Sequence, residues 1–417
     1  MKILIIGNGG REHTLTWKIN QSPKVSKIYV APGNAGTATL AENVNIAVDD
    51  LEGLLSFAKE KQIDLTIVGP ELPLTLGITD LFQNAGLKVF GPSEKGAVLE
   101  ASKVFTKDFC LRHNIPTATY KKFKEASEAE AYAKEVELPI VVKADGIAAG
   151  KGVYLCHERK DVVTAVDEIM VQKIFGDSGN EVVFEQFLVG EEVSILCFVD
   201  GKTVVPMETA RDHKQVFDGN KGPNTGGMGV YSPAHLISEK IFNEIMEDII
   251  KPSVAAMAEE GREFKGILFA GLMLDKNVPY LLEYNCRFGD PECQAVLTRL
   301  ENDLIDIMLA VIDGTLDKIE VKWSNQASVC VVMAAGGYPG SYKKGDVISG
   351  LEDVDDAIVF HAGTKLNNGN VVTAGGRVLG VTALGDTQAE ARTKAYANVK
   401  KISWNGAFCR TDIGATE

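Results

Sequence analysis

The strongest chemical signal is the run Lys143-Ala144-Asp145-Gly146-Ile147-Ala148-Ala149-Gly150-Lys151-Gly152-Val153. An apolar segment ends in one lysine, and a loop of small residues carrying a second leads into another apolar segment. Backbone N–H groups in such a loop can close over a polyphosphate that a bulky side chain would exclude. Lys143, fixed on a strand, would meet phosphate oxygens as a point charge. The plainer reading is a β-hairpin with a solvent lysine. A Walker loop is excluded, because no Gly-Lys-Ser/Thr opens a helix here.

Further candidates follow along the chain. Glu185, Phe187 and Leu188 lie in a short extended hinge that could offer backbone groups to an adenine edge, and Glu192 could accept ribose hydroxyls. Glu283 and Asn285 stand two apart on a predicted strand, so they share a face, and their oxygens suit Mg²⁺. Arg287 follows at once, a residue fitted to planar contact with phosphate or carboxylate. Asp212, Lys214 and the loop Gly222-Pro223-Asn224-Thr225-Gly226-Gly227-Met228-Gly229 add charge and a second anion-accommodating turn. His213 could act as a base, though a lone surface histidine is the commoner case, and Cys286 and Cys293 read as bystanders.

Near the start, Gly7-Asn8-Gly9-Gly10-Arg11-Glu12-His13 joins a strand to a helix, where free N–H groups favour an anion. A phosphate site and a plain tight turn both fit. A dinucleotide fold fits poorly, since the third glycine is missing and no acidic residue closes the second strand.

These residues need elements to hold them. Short apolar runs at 3–6, 27–30, 44–48, 65–68 and 87–90 alternate with amphipathic stretches at 51–61 and 77–85. That alternation predicts a parallel sheet covered by helices, with ligands at the strands' carboxyl ends. A lysine-bearing helix near 103–107 opens a second unit, with strands at 140–143, 152–156 and 182–184. Residues 212–233 show little periodicity and read as a long functional loop. A helix near 239–259 and strands at 266–275 and 279–284 follow. Short strands and a helix near 387–402 make up the last portion.

The chain has 417 residues, 45% hydrophobic and 24% charged, enough for two to four packed units. Its net charge of −14 argues against a nucleic-acid surface. Seven scattered cysteines without a CxxC pair suit reduced thiols, and no long apolar segment is present, so a cytoplasmic location is expected and no membrane partner.

Taken in order, the helix lysine, strand lysine, small-residue loop, hinge glutamate, ribose glutamate and Glu-x-Asn pair resemble the ATP-grasp superfamily. Within it the chain is similar to the glycinamide ribonucleotide synthetase family over essentially its whole length. Segments 7–13, 32–37, 68–71, 143–153, 222–233, 285–292 and 333–340 carry the likeness. It implies an α/β and α+β multidomain fold: a Rossmann-like substrate domain at 1–100, an ATP-grasp domain at 101–322 with a lid subdomain about 120–190, and a mixed α/β C-terminal domain at 323–417.

The resemblance further implies that Lys103, Lys143, Gly150, Lys151, Gly152, Glu185, Phe187, Leu188 and Glu192 bind ATP, and that Glu283 and Asn285 hold Mg²⁺ or Mn²⁺. Arg287, Lys143, Lys214 and Asp212 would serve the chemistry. Gly9, Gly10, Arg11, Glu71, Thr225, Gly226, Gly227, Asp290 and Pro291 would line the glycine and 5-phosphoribosylamine sites. A monomer is expected, with a transient contact to the enzyme supplying phosphoribosylamine left open. The chain departs from the wider pattern at Gly271, where some ATP-grasp enzymes carry another acidic ligand, and it matches less well over 406–417.

Overall fold

The computed structural model describes residues 1–148, 152–234 and 237–415. Gly150 and Lys151 therefore lie outside the described residues.

The first 100 residues form a parallel five-stranded sheet in the order Glu42–Asn43, Lys27–Pro32, Lys2–Gly7, Leu65–Val68, Val89–Phe90. The central strand reads as an unbroken apolar run because both its faces are covered. Leu4 and Ile6 pack with Leu54 and Ala58 of helix Leu51–Lys61, while Ile3 and Ile5 pack with Leu15 and Ile19 of helix Gly10–Ile19. The expected strand at 44–48 is not formed. Val44, Ile46 and Val48 satisfy their apolar alternation by packing against the core from a loop, and only Glu42–Asn43 joins the ladder.

The middle of the chain holds two antiparallel four-stranded sheets. One runs Tyr120–Phe123, Val182–Gln186, Ile140–Ala144, Val153–Cys156, with a separate core around Phe123, Val142 and Phe184. The other runs Val204–Pro206, Glu191–Asp200, Lys265–Asp275, Val278–Asn285. The hinge at 187–190 is the short link between them.

Residues 212–233 are more ordered than their composition suggests. Arg211–Asp212 and Gly229–Ser232 enter a five-stranded sheet with Ala327–Ala334, Arg377–Gly385 and Ile358–His361, and Gln215–Phe217 pairs with Lys221–Asn224. Strands of two to four residues are too short to show a period, and the strand that ties them to the larger sheet, Ala327–Ala334, stands about a hundred residues beyond Gly229–Ser232. Helix Gln388–Val399 packs on this sheet. All seven cysteines are free, six of them buried. No helix among the described residues is long and apolar enough to cross a membrane.

Candidate active site

The glycine turn ends the central strand of the first sheet, and its own carboxylate occupies it. Glu12 accepts the Gly9 N–H at 2.6 Å and pairs with Arg11 Nε at 2.6 Å. Its side chain runs beneath Gly7, at φ +126°, and Gly69, where an added Cβ would come within 2.4 and 2.1 Å of it. Those glycines thus make room for Glu12. Arg11 is buried and also donates to the Phe288 carbonyl at 3.1 Å, while its N–H donates to Asp290 at 3.1 Å.

At the small sheet, Lys143 and Lys107 both reach Glu185 Oε2, at 2.8 and 3.0 Å, and all three side chains are almost fully buried. Burial would raise the Glu185 carboxyl, but the two ammoniums hold it below the usual carboxylate range. Lys107 was expected on the lysine-bearing helix but given no site role; its spacing four residues after Lys103 was the available signal. Lys103 opens helix Lys103–Arg112 and donates to the Gly146 carbonyl at 3.1 Å. Asp145 accepts from Ser102 and from the Val104 N–H at 2.9 Å, tying that helix to the loop after Lys143. Leu188 is buried, and Phe187 packs edge-on against His157.

Glu283 is the meeting point. Burial would raise its carboxyl, yet Lys103, Lys143, Lys214 and Arg287 together lower it. Four cations from separate segments thus act on one carboxylate. Glu192, on the strand after the hinge, keeps an open face to solvent, yet the protein packed around it and Glu283 raise its carboxyl against the pull of Lys214 and Lys143. Arg287 donates to Glu100 at 2.6 Å, to Asn285 at 2.9 Å and to Glu71 at 3.3 Å. Burial raises the Glu100 carboxyl to about 7, against the nearby Arg287 charge.

A magnesium ion fits this place. Glu283 and Asn285 share a face, and the residue paired with Glu283 across the ladder is Gly271, whose Cβ would sit 3.3 Å from Glu283 Cγ. Among the described residues no group of three acidic, histidine or cysteine side chains could hold a metal. One carboxylate and one amide oxygen match the way Mg²⁺ binds beside phosphates and water.

On the opposite side, Lys214 lies 2.7 Å from Asp212 and 3.7 Å from Glu292, with both carboxylates buried. Burial pushes both acids up against the Lys214 charge. Thr225 donates to the Lys214 carbonyl at 2.8 Å and accepts from Gly227, which has φ +115°. A Cβ on Gly227 would lie 2.4 Å from Pro291. Arg377, from the C-terminal sheet, donates to the carbonyls of Gly226 and Asp290, both at 2.6 Å. Sequence reasoning gave no role to Arg377, Glu292, Glu100 or Glu12; only Glu12 and Glu292 lay inside quoted motifs. His213 is half-buried, and removal from water lowers its pKa to about 4.

A parallel-sheet domain, two antiparallel sheets joined by a hinge, and cations gathered on a Glu-x-Asn strand define an ATP-grasp enzyme. Models of the phosphoribosylglycinamide synthetase N, ATP-grasp (A) and C domains match residues 1–100, 101–293 and 328–416, and the chain belongs to this family. It is 54% identical to the phosphoribosylamine–glycine ligase of Vibrio parahaemolyticus, over 99% of this chain and 98% of that one. The Salmonella typhimurium ligase is also 54% identical, with the same coverage. The crystal structure of the Thermotoga maritima ligase matches with a TM-score of 0.86 at 32% identity, covering 99% of this chain and 100% of the other. A biotin carboxylase from Campylobacter jejuni shares the fold, with a TM-score of 0.74 at 16% identity over 97% and 92% of the two chains.

Proposed function

We propose that the chain joins glycine to 5-phosphoribosylamine at the expense of ATP, through glycyl phosphate, giving glycinamide ribonucleotide, ADP and phosphate in de novo purine biosynthesis. The observation that carries this reading is the convergence of Lys103, Lys143, Lys214 and Arg287 on Glu283. Full-length relatives that carry the ligase name support it.

The reaction needs no protein nucleophile. A glycine carboxylate oxygen attacks the γ-phosphorus, the bond to the β-phosphate oxygen breaks, and ADP leaves. The amine of phosphoribosylamine then attacks the acyl carbon; the C–N bond forms, phosphate departs and the amine loses a proton. Lys103, Lys143 and Arg287 offset charge gathering on the transferred oxygens. Lys151 and the glycines at 150 and 152 cover the phosphates, residues 185–188 seat adenine, and Glu192 takes the ribose. Glu283 and Asn285 would hold Mg²⁺ or Mn²⁺, which supplies electrostatic relief to the phosphates. Asp212, Lys214 and 225–227 border glycine, while Gly9, Gly10, Arg11, Glu71, Asp290 and Pro291 border the acceptor. One chain supplies every group, so a monomer suffices, and the free buried thiols suit the cytoplasm.

The test is coupled ADP release with glycine and freshly made phosphoribosylamine, each omitted in turn. Release that persists without glycine, or that needs bicarbonate instead, would defeat the assignment.

A further inference from the structure

Lys107 lies four residues after Lys103 on helix Lys103–Arg112, so both side chains leave the same face. Lys103 reaches the Gly146 carbonyl, whereas Lys107 runs into the interior and is 1% exposed. Its ammonium stands 3.0 Å from Glu185 Oε2 and 2.7 Å from Thr117 Oγ1. The Thr117 hydroxyl gives its own proton to the Leu281 carbonyl at 2.6 Å, so towards Lys107 it can only accept. Leu281 belongs to strand Val278–Asn285, which carries Glu283 and Asn285. One buried ammonium thus bridges the two sheets of the ATP-grasp domain.

Burying an ammonium is expensive, and Lys143 alone would already pair with Glu185, at 2.8 Å. Both lysines nevertheless meet the same oxygen, Oε2, while the buried Oε1 has no hydrogen-bond partner. The carboxylate's pull on each lysine is therefore divided. Two ammoniums against one carboxylate leave one positive charge over. Lys143 also pulls on Glu283 and Glu192, so that excess is felt at the centre of the site. Without Lys107, Lys143 and Glu185 would close into a neutral pair, and a triphosphate would meet a dipole in place of a cation.

We propose that Lys107 is a positioning residue that takes up the charge of Glu185, leaving Lys143 a net cation for the phosphates of ATP. The inference rests on the reading of Lys143 as a phosphate ligand. Lys107 itself touches no substrate and acts through Glu185.

The experiment measures Kd for ATP with Mg²⁺ and for adenosine on the full chain, in wild type, Lys107→Met and Lys107→Met/Glu185→Gln. Lys107→Met should weaken ATP about tenfold, the scale of one unit charge at roughly 10 Å in an effective dielectric constant of about 20, while uncharged adenosine should move less than about twofold. The double variant restores one excess charge on Lys143 and should recover most of the lost ATP affinity, although it has lost more contacts than the single change. Equal weakening of ATP and adenosine in Lys107→Met, or a double variant that binds ATP no better, overturns the proposal. If Lys107→Met does not fold, the ratio of ATP to adenosine affinity in the double variant decides: within about threefold of wild type supports the proposal, and a larger fall overturns it. A wild type that binds adenosine as tightly as ATP would sink the phosphate reading of Lys143 and this proposal with it. Binding is measured apart from turnover, so failure here is separable from failure of the ligase assignment.

Discussion

Removing the Glu185 carboxylate should harm the protein far more than removing one of the lysines it serves. Lys143 and Lys107 touch the same oxygen, at 2.8 and 3.0 Å, so their nitrogens lie within about 6 Å of each other, and neither is open to water. In Glu185→Gln both ammoniums remain without a counter-charge. At an effective dielectric constant of about 20 their repulsion alone is about 3 kcal/mol, within the roughly 3–5 kcal/mol lost when one partner of a buried pair is deleted. Burial already pulls the Lys107 pKa down, so this lysine is the one to release its proton in the variant. In Lys107→Met the Lys143–Glu185 pair survives; the pair to Glu185 at 3.0 Å and the bond to Thr117 at 2.7 Å are lost, but a buried ammonium is removed with them, which offsets part of the loss. That should cost only about 1–2 kcal/mol. Urea midpoints of the two single variants and the double variant measure the difference, and KM for ATP reports whether Lys143 stays in place. The double variant should recover much of what Glu185→Gln loses. If Lys107→Met proves the worse single change, or if the double variant shows no recovery, the account of this triad is wrong.

Arg287→Ala should lower turnover about a hundredfold, near 3 kcal/mol of transition-state stabilisation, as read by ADP release at saturating substrates; near-normal turnover would refute the role. Glu100, raised to about 7, binds a proton more tightly when folded, so its contribution is complete below about pH 4.5 and is lost as pH rises through 7, by about 3 kcal/mol at most. Urea midpoints at pH 5 and pH 8 should fall more for wild type than for Glu100→Gln. His13, lowered to about 3, accepts the His361 N–H at 2.8 Å through Nδ1 and must be neutral to do so. Its contribution is complete above about pH 6.5 and is lost as the medium is acidified toward 3, so His13→Gln should flatten the acid limb of the stability profile.

Much of the site was legible because it is local. Strand lysine, small-residue loop, and Glu283 with Asn285 each occupy a few consecutive positions, where periodicity fixes the face. The remainder depends on contacts the chain makes across long separations. The glycines near residue 9 suggest a phosphate turn, yet Glu12 fills the space they leave. Arg377 reaches Gly226 and Asp290 from another domain, and no local pattern marks it. Glu185 stands in the hinge segment expected near adenine, but its carboxylate also holds two lysines, which backbone reasoning does not see. The residues at 44–48 have a strand's alternation without a ladder, since apolar packing alone can satisfy it.

The third sheet draws Arg211–Asp212 and Gly229–Ser232 from the middle of the chain and lays them beside Ala327–Ala334, every residue of which is buried. Domain borders drawn along the sequence therefore do not mark where the molecule can be cut. A fragment beginning near residue 323 would bare one hydrogen-bonding edge of a largely apolar strand, an invitation to self-association. Exchanging this region between relatives calls for carrying 211–232 along with it.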